Sequence, residues 1–112
     1  MIELKISEAQ RYSYNQFTEI NKILNKNWTP FTLATKMLEE AGEVASVIMG
    51  LEGFKPPDKP KTLEMLGKEL SDLLYDVLLI AETYDVDLEN VYRETIDAYP
   101  KYLLREQNDF TT

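Results

Sequence analysis

The chain has 112 residues, 44% of them hydrophobic and 29% charged, a balance that suits one soluble domain with a single core and is too short for two. With no Cys and no His, disulfides, thiolate nucleophiles, imidazole bases and Cys- or His-ligated zinc are excluded. The net charge of −8, from 20 acidic and 12 basic residues, disfavours nucleic-acid backbones and anionic membranes as partners.

Four helical stretches are predicted, and they make the expected fold an all-α, four-helix-bundle-like domain covering residues 1–112. The first runs from about Ser7, read as its N-cap, to Asn27, with Tyr12, Phe17, Ile20, Ile23 and Leu24 at helical spacing. Asn27-Trp28-Thr29-Pro30 breaks it, and the second helix runs from Phe31 or Thr32 to Leu51. Residues 53–62 contain three prolines and three lysines, which cannot continue a helix and read as a loop. Thr62 caps a third helix extending to about Tyr84, on which Leu63, Leu66, Leu70, Leu73, Val77, Ile80 and Tyr84 recur at three- and four-residue steps. Asp87 caps a fourth helix from Leu88 to Tyr99 or beyond, and the polar tail from Glu106 is expected to fray. Short connections favour antiparallel neighbours. So small a core, with seven Tyr and one Trp, points to self-association as a dimer or a dimer of dimers. No apolar run approaches the roughly 18 residues of a membrane span. The segment Met1–Lys5 also lacks the character of a signal peptide, so a cytoplasmic location is expected.

Chemistry concentrates in the middle of the second and third helices. At about 100° per residue, Glu39, Glu40 and Glu43 share roughly 100° of one helix, and Glu69, Asp72 and Asp76 share about 60° of the other. Both groups lie along the margin of an apolar arc, so packing those arcs together brings the acids to one edge of the seam. An acidic helix face is most often a solvated surface. Such faces usually interleave opposite charges at three- and four-residue offsets, yet Glu43 and Glu69 have no Lys or Arg at those positions. Carboxylates about 5 Å apart repel by about 3 kcal/mol per pair at an effective dielectric of about 20. A cluster of this kind persists by taking up protons or by holding a cation. Oxygen ligands without nitrogen or sulfur point to Mg²⁺, with Mn²⁺ as a substitute, or Ca²⁺. Gly42 and Gly67, each costing about 1 kcal/mol inside a helix, are expected to permit close helix approach or ligand access.

Glu39-Glu40-x-x-Glu43, then 25 residues, then Glu69-x-x-Asp72 resembles the signature of the MazG-like nucleotide pyrophosphohydrolases. These belong to the all-α NTP pyrophosphatase superfamily, alongside dimeric dUTPases and dCTP pyrophosphatases. The likeness spans about residues 28–99 and includes Val86-Asp87-Leu88-Glu89, where the family's fourth helix opens. It implies a divalent metal held by Glu40, Glu43, Glu69 and Asp72. Glu39 becomes a catalytic candidate that orients the attacking water, or else a group beyond the first coordination sphere or a second-metal ligand. Asp76 is a second-metal ligand or lies outside that sphere. The implied reaction cleaves a nucleoside triphosphate between its α- and β-phosphates, with a divalent ion activating water and screening the triphosphate.

Fainter signals concern the substrate. Trp28 resembles the aromatic segment lining the base pocket in related pyrophosphatases, and reads equally well as a hydrophobic staple or core aromatic. Tyr75 reads as core or interface, with nucleotide contact the alternative. Asn15, Gln16 and Asn21 read as surface amides before base readers. Lys55, Lys59 and Lys61 could clamp phosphate, although loop solubility accounts for them. The family often carries spaced Lys, Asn and Arg at the end of its fourth helix. Residues 92–101 depart from that pattern, leaving Arg93, Lys101 and Arg105 as candidate phosphate ligands. Two rival readings remain open: a non-catalytic helical interaction module whose acidic edge binds metal or a basic partner, and a hydrolase of another pyrophosphate-containing metabolite.

Overall fold

The computed structural model describes residues 3–54 and 60–111, with side chains as far as Lys101 and at Arg105. Four α-helices follow one another: α1 (Ile6–Ile23), α2 (Pro30–Leu51), α3 (Leu63–Thr83) and α4 (Leu88–Thr111). No strand occurs among the described residues.

Local chemistry fixes most helix starts. Pro30 does not break the chain before α2 but opens it. Its missing N–H falls where no intrahelical partner exists, and its fixed φ suits the first turn. Thr29 Oγ1 accepts from Thr32 N at 3.2 Å, and Thr32 Oγ1 accepts from Thr29 N at 3.3 Å, a reciprocal cap. Thr62 caps α3 by accepting from Met65 N at 3.2 Å. Asp87 Oδ1 accepts from Asn90 N at 3.3 Å at the head of α4. The expected cap of α1 is corrected: Lys5 holds the N-cap position without a side-chain bond. Ser7 lies inside the first turn, donating from its backbone N (3.2 Å) and Oγ (3.4 Å) to Glu89 Oε1 of α4. A carboxylate from another helix thus occupies the positive end of α1. The first helix also ends at Ile23, with Asn25 at φ 53° turning the chain.

α3 is the central helix. It packs most extensively on α2 and next on α1, and α4 leans lightly against α1. The buried apolar side chains are Leu33 and Val47 on α2 and Leu78, Leu79 and Ala81 on α3. Gln10 ties the far end together, its Nε2 donating to Glu82 Oε2 at 2.9 Å and to Val86 O at 2.7 Å. α4 continues through Pro100 to Thr111, so the helix does not stop at Glu106. Residues 90–101 are exposed throughout, so the carbonyl that Pro100 leaves unpaired can face water.

The expected apolar stripes do not form this core. Tyr12, Ile20 and Ile23 of α1 and its C-cap Leu24 are exposed, as are Leu63 and Leu70 of α3 and its C-cap Tyr84. What α1 buries is polar, namely Gln10 and Ser13. Phe17, Leu66, Leu73, Val77 and Ile80 are half-buried, so the helix periodicity marks faces that a single chain covers only in part. Size tells the same story. The chain exposes 9289 Å², where a compact monomer of 13.0 kDa exposes about 6,300 Å². Its radius of gyration is 18.1 Å, against about 13 Å for a compact domain of this length.

Leu79 has no exposed surface. Leu79→Ala is expected to cost about 3 kcal/mol in urea unfolding followed by helical circular dichroism. Truncating exposed Leu63 instead should cost less than about 1 kcal/mol at concentrations where the chain is monomeric.

Candidate metal centre

Antiparallel packing of α2 on α3 sets the acids in register. Along α2 towards its start come Glu43, Glu40 and Lys36. Along α3 towards its end come Glu69, Asp72 and Asp76. Glu40, Glu43 and Glu69 each offer a carboxylate oxygen, and these three atoms lie within 4.8 Å of one another. Glu40 Oε2 and Glu69 Oε2 are buried and have no hydrogen-bond donor. Orphaned carboxylate oxygens facing like charge are the arrangement a hard divalent cation satisfies. The donor set therefore fits Mg²⁺ or Mn²⁺, with Glu40, Glu43 and Glu69 as the residues that would hold it.

The remaining predicted residues occupy varied positions. Asp72 stands outside the close group and is exposed, but its charge reaches both Glu40 and Asp76. Glu39 is exposed on α2, and its charge raises the pKa of Glu43. Asp76 is fully buried, with neither carboxylate oxygen hydrogen bonded. Its nearest opposite charge is Lys36 Nζ, 3.6 Å from Oδ1. Trp28 packs edge-on against Tyr14 and Phe17, with centroids 6.0 and 5.3 Å apart. The Tyr75 hydroxyl donates to Ser13 O at 3.3 Å and Gln16 Oε1 at 3.1 Å, pinning α3 to α1. Asn21 donates to Phe17 O within its own helix. Arg93, Lys101 and Arg105 are exposed on α4, whose main contact is α1, so one chain does not bring them to the α2–α3 seam. Lys55 and Lys59 lie outside the described residues, and Lys61 is half-buried, its stem pressed against Gly50. The close helix approach expected at Gly42 and Gly67 is not made: a Cβ at either would meet nothing within 4 Å. Both glycines leave open space beside the acids.

Lys36 was not among the residues singled out by the motif. The available signal was its spacing, four residues before Glu40 on the same face of α2. Away from the seam, a polar cleft of about 240 Å³ lies between the start of α1 and the end of α3, lined by Gln10, Arg11 and Glu82 among others. Glu82 is ten residues beyond Asp72, about 15 Å along the helix.

The electrostatics follow from crowding. Burial raises the pKa of Glu40, and the charges of Glu43 and Asp72 raise it further. Glu43 is raised chiefly by sharing a proton with Glu69 and by repulsion from it. Burial raises Asp76 while Lys36 opposes the shift. Burial and the Asp76 charge likewise raise the Tyr75 hydroxyl.

With this geometry described, comparison with known proteins places the chain. The family model of the MazG nucleotide pyrophosphohydrolase domain matches residues 28–107. The chain belongs to the MazG nucleotide pyrophosphohydrolase family. No curated protein sequence matches it. No described helix is long and apolar enough to cross a membrane.

Because Glu40 and Glu43 hold protons more tightly when folded than at the ordinary 4.5, the folded chain binds more protons than the unfolded one. Metal-free stability is therefore expected to fall as the pH rises above the ordinary 4.5 and through the raised folded-state values. In thermal melts the wild type should lose more than Glu43→Gln over this range, and Mg²⁺ should flatten the difference by replacing the protons.

Proposed function

We propose that this protein is a Mg²⁺-dependent nucleoside triphosphate pyrophosphohydrolase, cleaving the α–β phosphate bond of (d)NTPs to a monophosphate and pyrophosphate. The observation that carries this reading is the Glu40–Glu43–Glu69 cluster, three oxygens within 4.8 Å with two of the carboxylates carrying orphaned buried oxygens, in a chain of this family. Asp72 completes the proposed ligand set by a side-chain rotation on an exposed face. When bound, the ion supplies activation of water and neutralisation of phosphate charge.

The chain's own groups do the rest. Glu39, exposed one position before Glu40, is placed to orient the attacking water and to take its proton, since no imidazole exists to do so. Trp28, Tyr14 and Phe17 form an aromatic wall toward the start of α2, against which a base can stack. The open space at Gly42 and Gly67 admits a ligand or a neighbouring chain without steric cost.

A homodimer or dimer of dimers belongs to the same reading. The surface in excess of a compact monomer is about 3,000 Å², the scale of an obligate interface. Val91, Tyr92, Ile96 and Tyr99 line the arm formed by α4, and Leu38, Leu70 and Leu74 flank the acidic seam, all exposed. A second copy covering these faces would also enclose the site and could bring in the basic residues of α4.

Purified protein is expected to release pyrophosphate from NTPs with Mg²⁺ or Mn²⁺ and not in chelator. Glu40→Gln and Glu43→Gln should each lower turnover by about a thousandfold or more while helical content persists. Turnover retained by either would overturn the ligand assignment. Light scattering on a sizing column should give a mass of two or four times the 13.0 kDa of one chain. A monomer at micromolar concentration would remove the proposed assembly.

A further inference from the structure

Lys36 and Asp76 form the only ion pair among the described residues, in a chain with 32 charged side chains. The pair is unusual in its geometry. Nζ stands 3.6 Å from Oδ1, beyond the 2.7–2.9 Å typical of a charge-assisted hydrogen bond, and neither Asp76 oxygen has a donor. Asp76 is wholly buried, whereas the Lys36 side chain is 43% exposed. The ammonium also lies 5.8 Å from the centre of the Phe17 ring and 5.9 Å from that of Tyr75. Both rings are themselves fixed, Tyr75 through its hydroxyl to α1 and Phe17 against Trp28.

A lysine serving only to neutralise a buried acid would close onto it, because an unsatisfied buried carboxylate is costly. Here the ammonium stands between an acid and two aromatic faces, makes no hydrogen bond among the described residues, and belongs to a side chain that is partly exposed. Its place on the seam gives that arrangement a use. Lys36 is one turn before Glu40, and Asp76 two turns after Glu69, so the pair sits about 6 Å along the helix axis from Glu40 and about 10 Å from Glu43 and Glu69. The long lysine stem lets the ammonium meet a phosphate beyond the one nearest a metal. The approach otherwise faces only acids, and the basic residues of α4 lie elsewhere in the chain.

We propose that Lys36 is a substrate-binding residue that takes a non-bridging phosphate oxygen of the nucleotide, and that Asp76 is the positioning residue that holds it over the seam. The inference rests on the nucleotide reading above and adds to it which residue on α2 meets the phosphates. Asp76 is then not a metal ligand: its carboxylate faces the lysine.

The test compares wild type, Lys36→Met, Lys36→Arg and Asp76→Asn as full-length protein. Methionine keeps the apolar stem against Phe17 and Tyr75 and removes the charge. In the pyrophosphate-release assay, Lys36→Met is expected to raise KM about tenfold or more with a smaller change in kcat. Arginine should recover part of that loss, and Asp76→Asn should raise KM less than Lys36→Met. Calorimetry with a non-hydrolysable α,β-methylene triphosphate and Mg²⁺ should show the same loss for Lys36→Met, with little change for the matching monophosphate. An unchanged KM and triphosphate affinity in Lys36→Met overturns the proposal while wild-type turnover upholds the enzyme. Loss confined to melting temperature does so too and leaves a structural pair. Should wild type bind triphosphate without turning it over, the enzyme reading falls and the binding arm alone decides Lys36. Wild type that binds no triphosphate overturns both.

Discussion

Repulsion among carboxylates on one helix seam governs this molecule. Glu40, Glu43 and Glu69 crowd within 4.8 Å, with the charges of Glu39, Asp72 and Asp76 felt beside them. Proton uptake relieves that repulsion, which adds to burial in raising the pKa of Glu40 and to the hydrogen bond with Glu69 in raising that of Glu43. A divalent cation relieves it more completely, since it pairs with several oxygens at once and needs no change in backbone. On the proposed reading, the same repulsion would make the helix pair a receptor for a hard cation and, through the cation, for phosphate.

The surrounding structure is arranged to hold that repulsion in place. α2 packs along α3, with Leu33, Val47, Leu78 and Leu79 buried on the two helices, and α1 braces α3 through the Tyr75 hydroxyl and Gln10. Because the supporting contacts come from three helices, the acids cannot relax by simple separation. Lys36 and Asp76 extend the seam by one turn and pass from the acidic cluster to the aromatic wall of Phe17, Tyr14 and Trp28. Clustered carboxylates, the Lys36 ammonium and an aromatic cluster follow one another along about three helical turns. That order matches the order of charge and apolarity in a nucleotide.

Large exposed apolar faces complete the account. One chain supplies a small core and leaves Tyr12, Ile23, Leu38, Leu74, Tyr92 and Tyr99 in water. Amphipathic periodicity records only that a face prefers to be buried; it does not say whether the covering element lies in the same chain. The stripe of α1 illustrates this, since its intrachain face uses Gln10 and Ser13 while its apolar face stays open. A substrate site confined to a two-helix edge would be shallow, and the proposed assembly would supply a further wall.

The sequence by itself determined the four helices, two of their caps and the acidic residues on α2 and α3, because capping and helical spacing are local effects that act within a few residues. The motif likewise determined the family. It misassigned the cap of α1, since the group at that end is Glu89, more than eighty residues away. It also passed over Lys36, whose role depends on a buried partner on another helix. Only the tertiary structure decided which carboxylates converge, that Asp76 pairs with a lysine, and which apolar stripes remain uncovered. Those facts depend on distances across the α2–α3 seam and on desolvation there, and neither quantity is written into the spacing of residues along one helix.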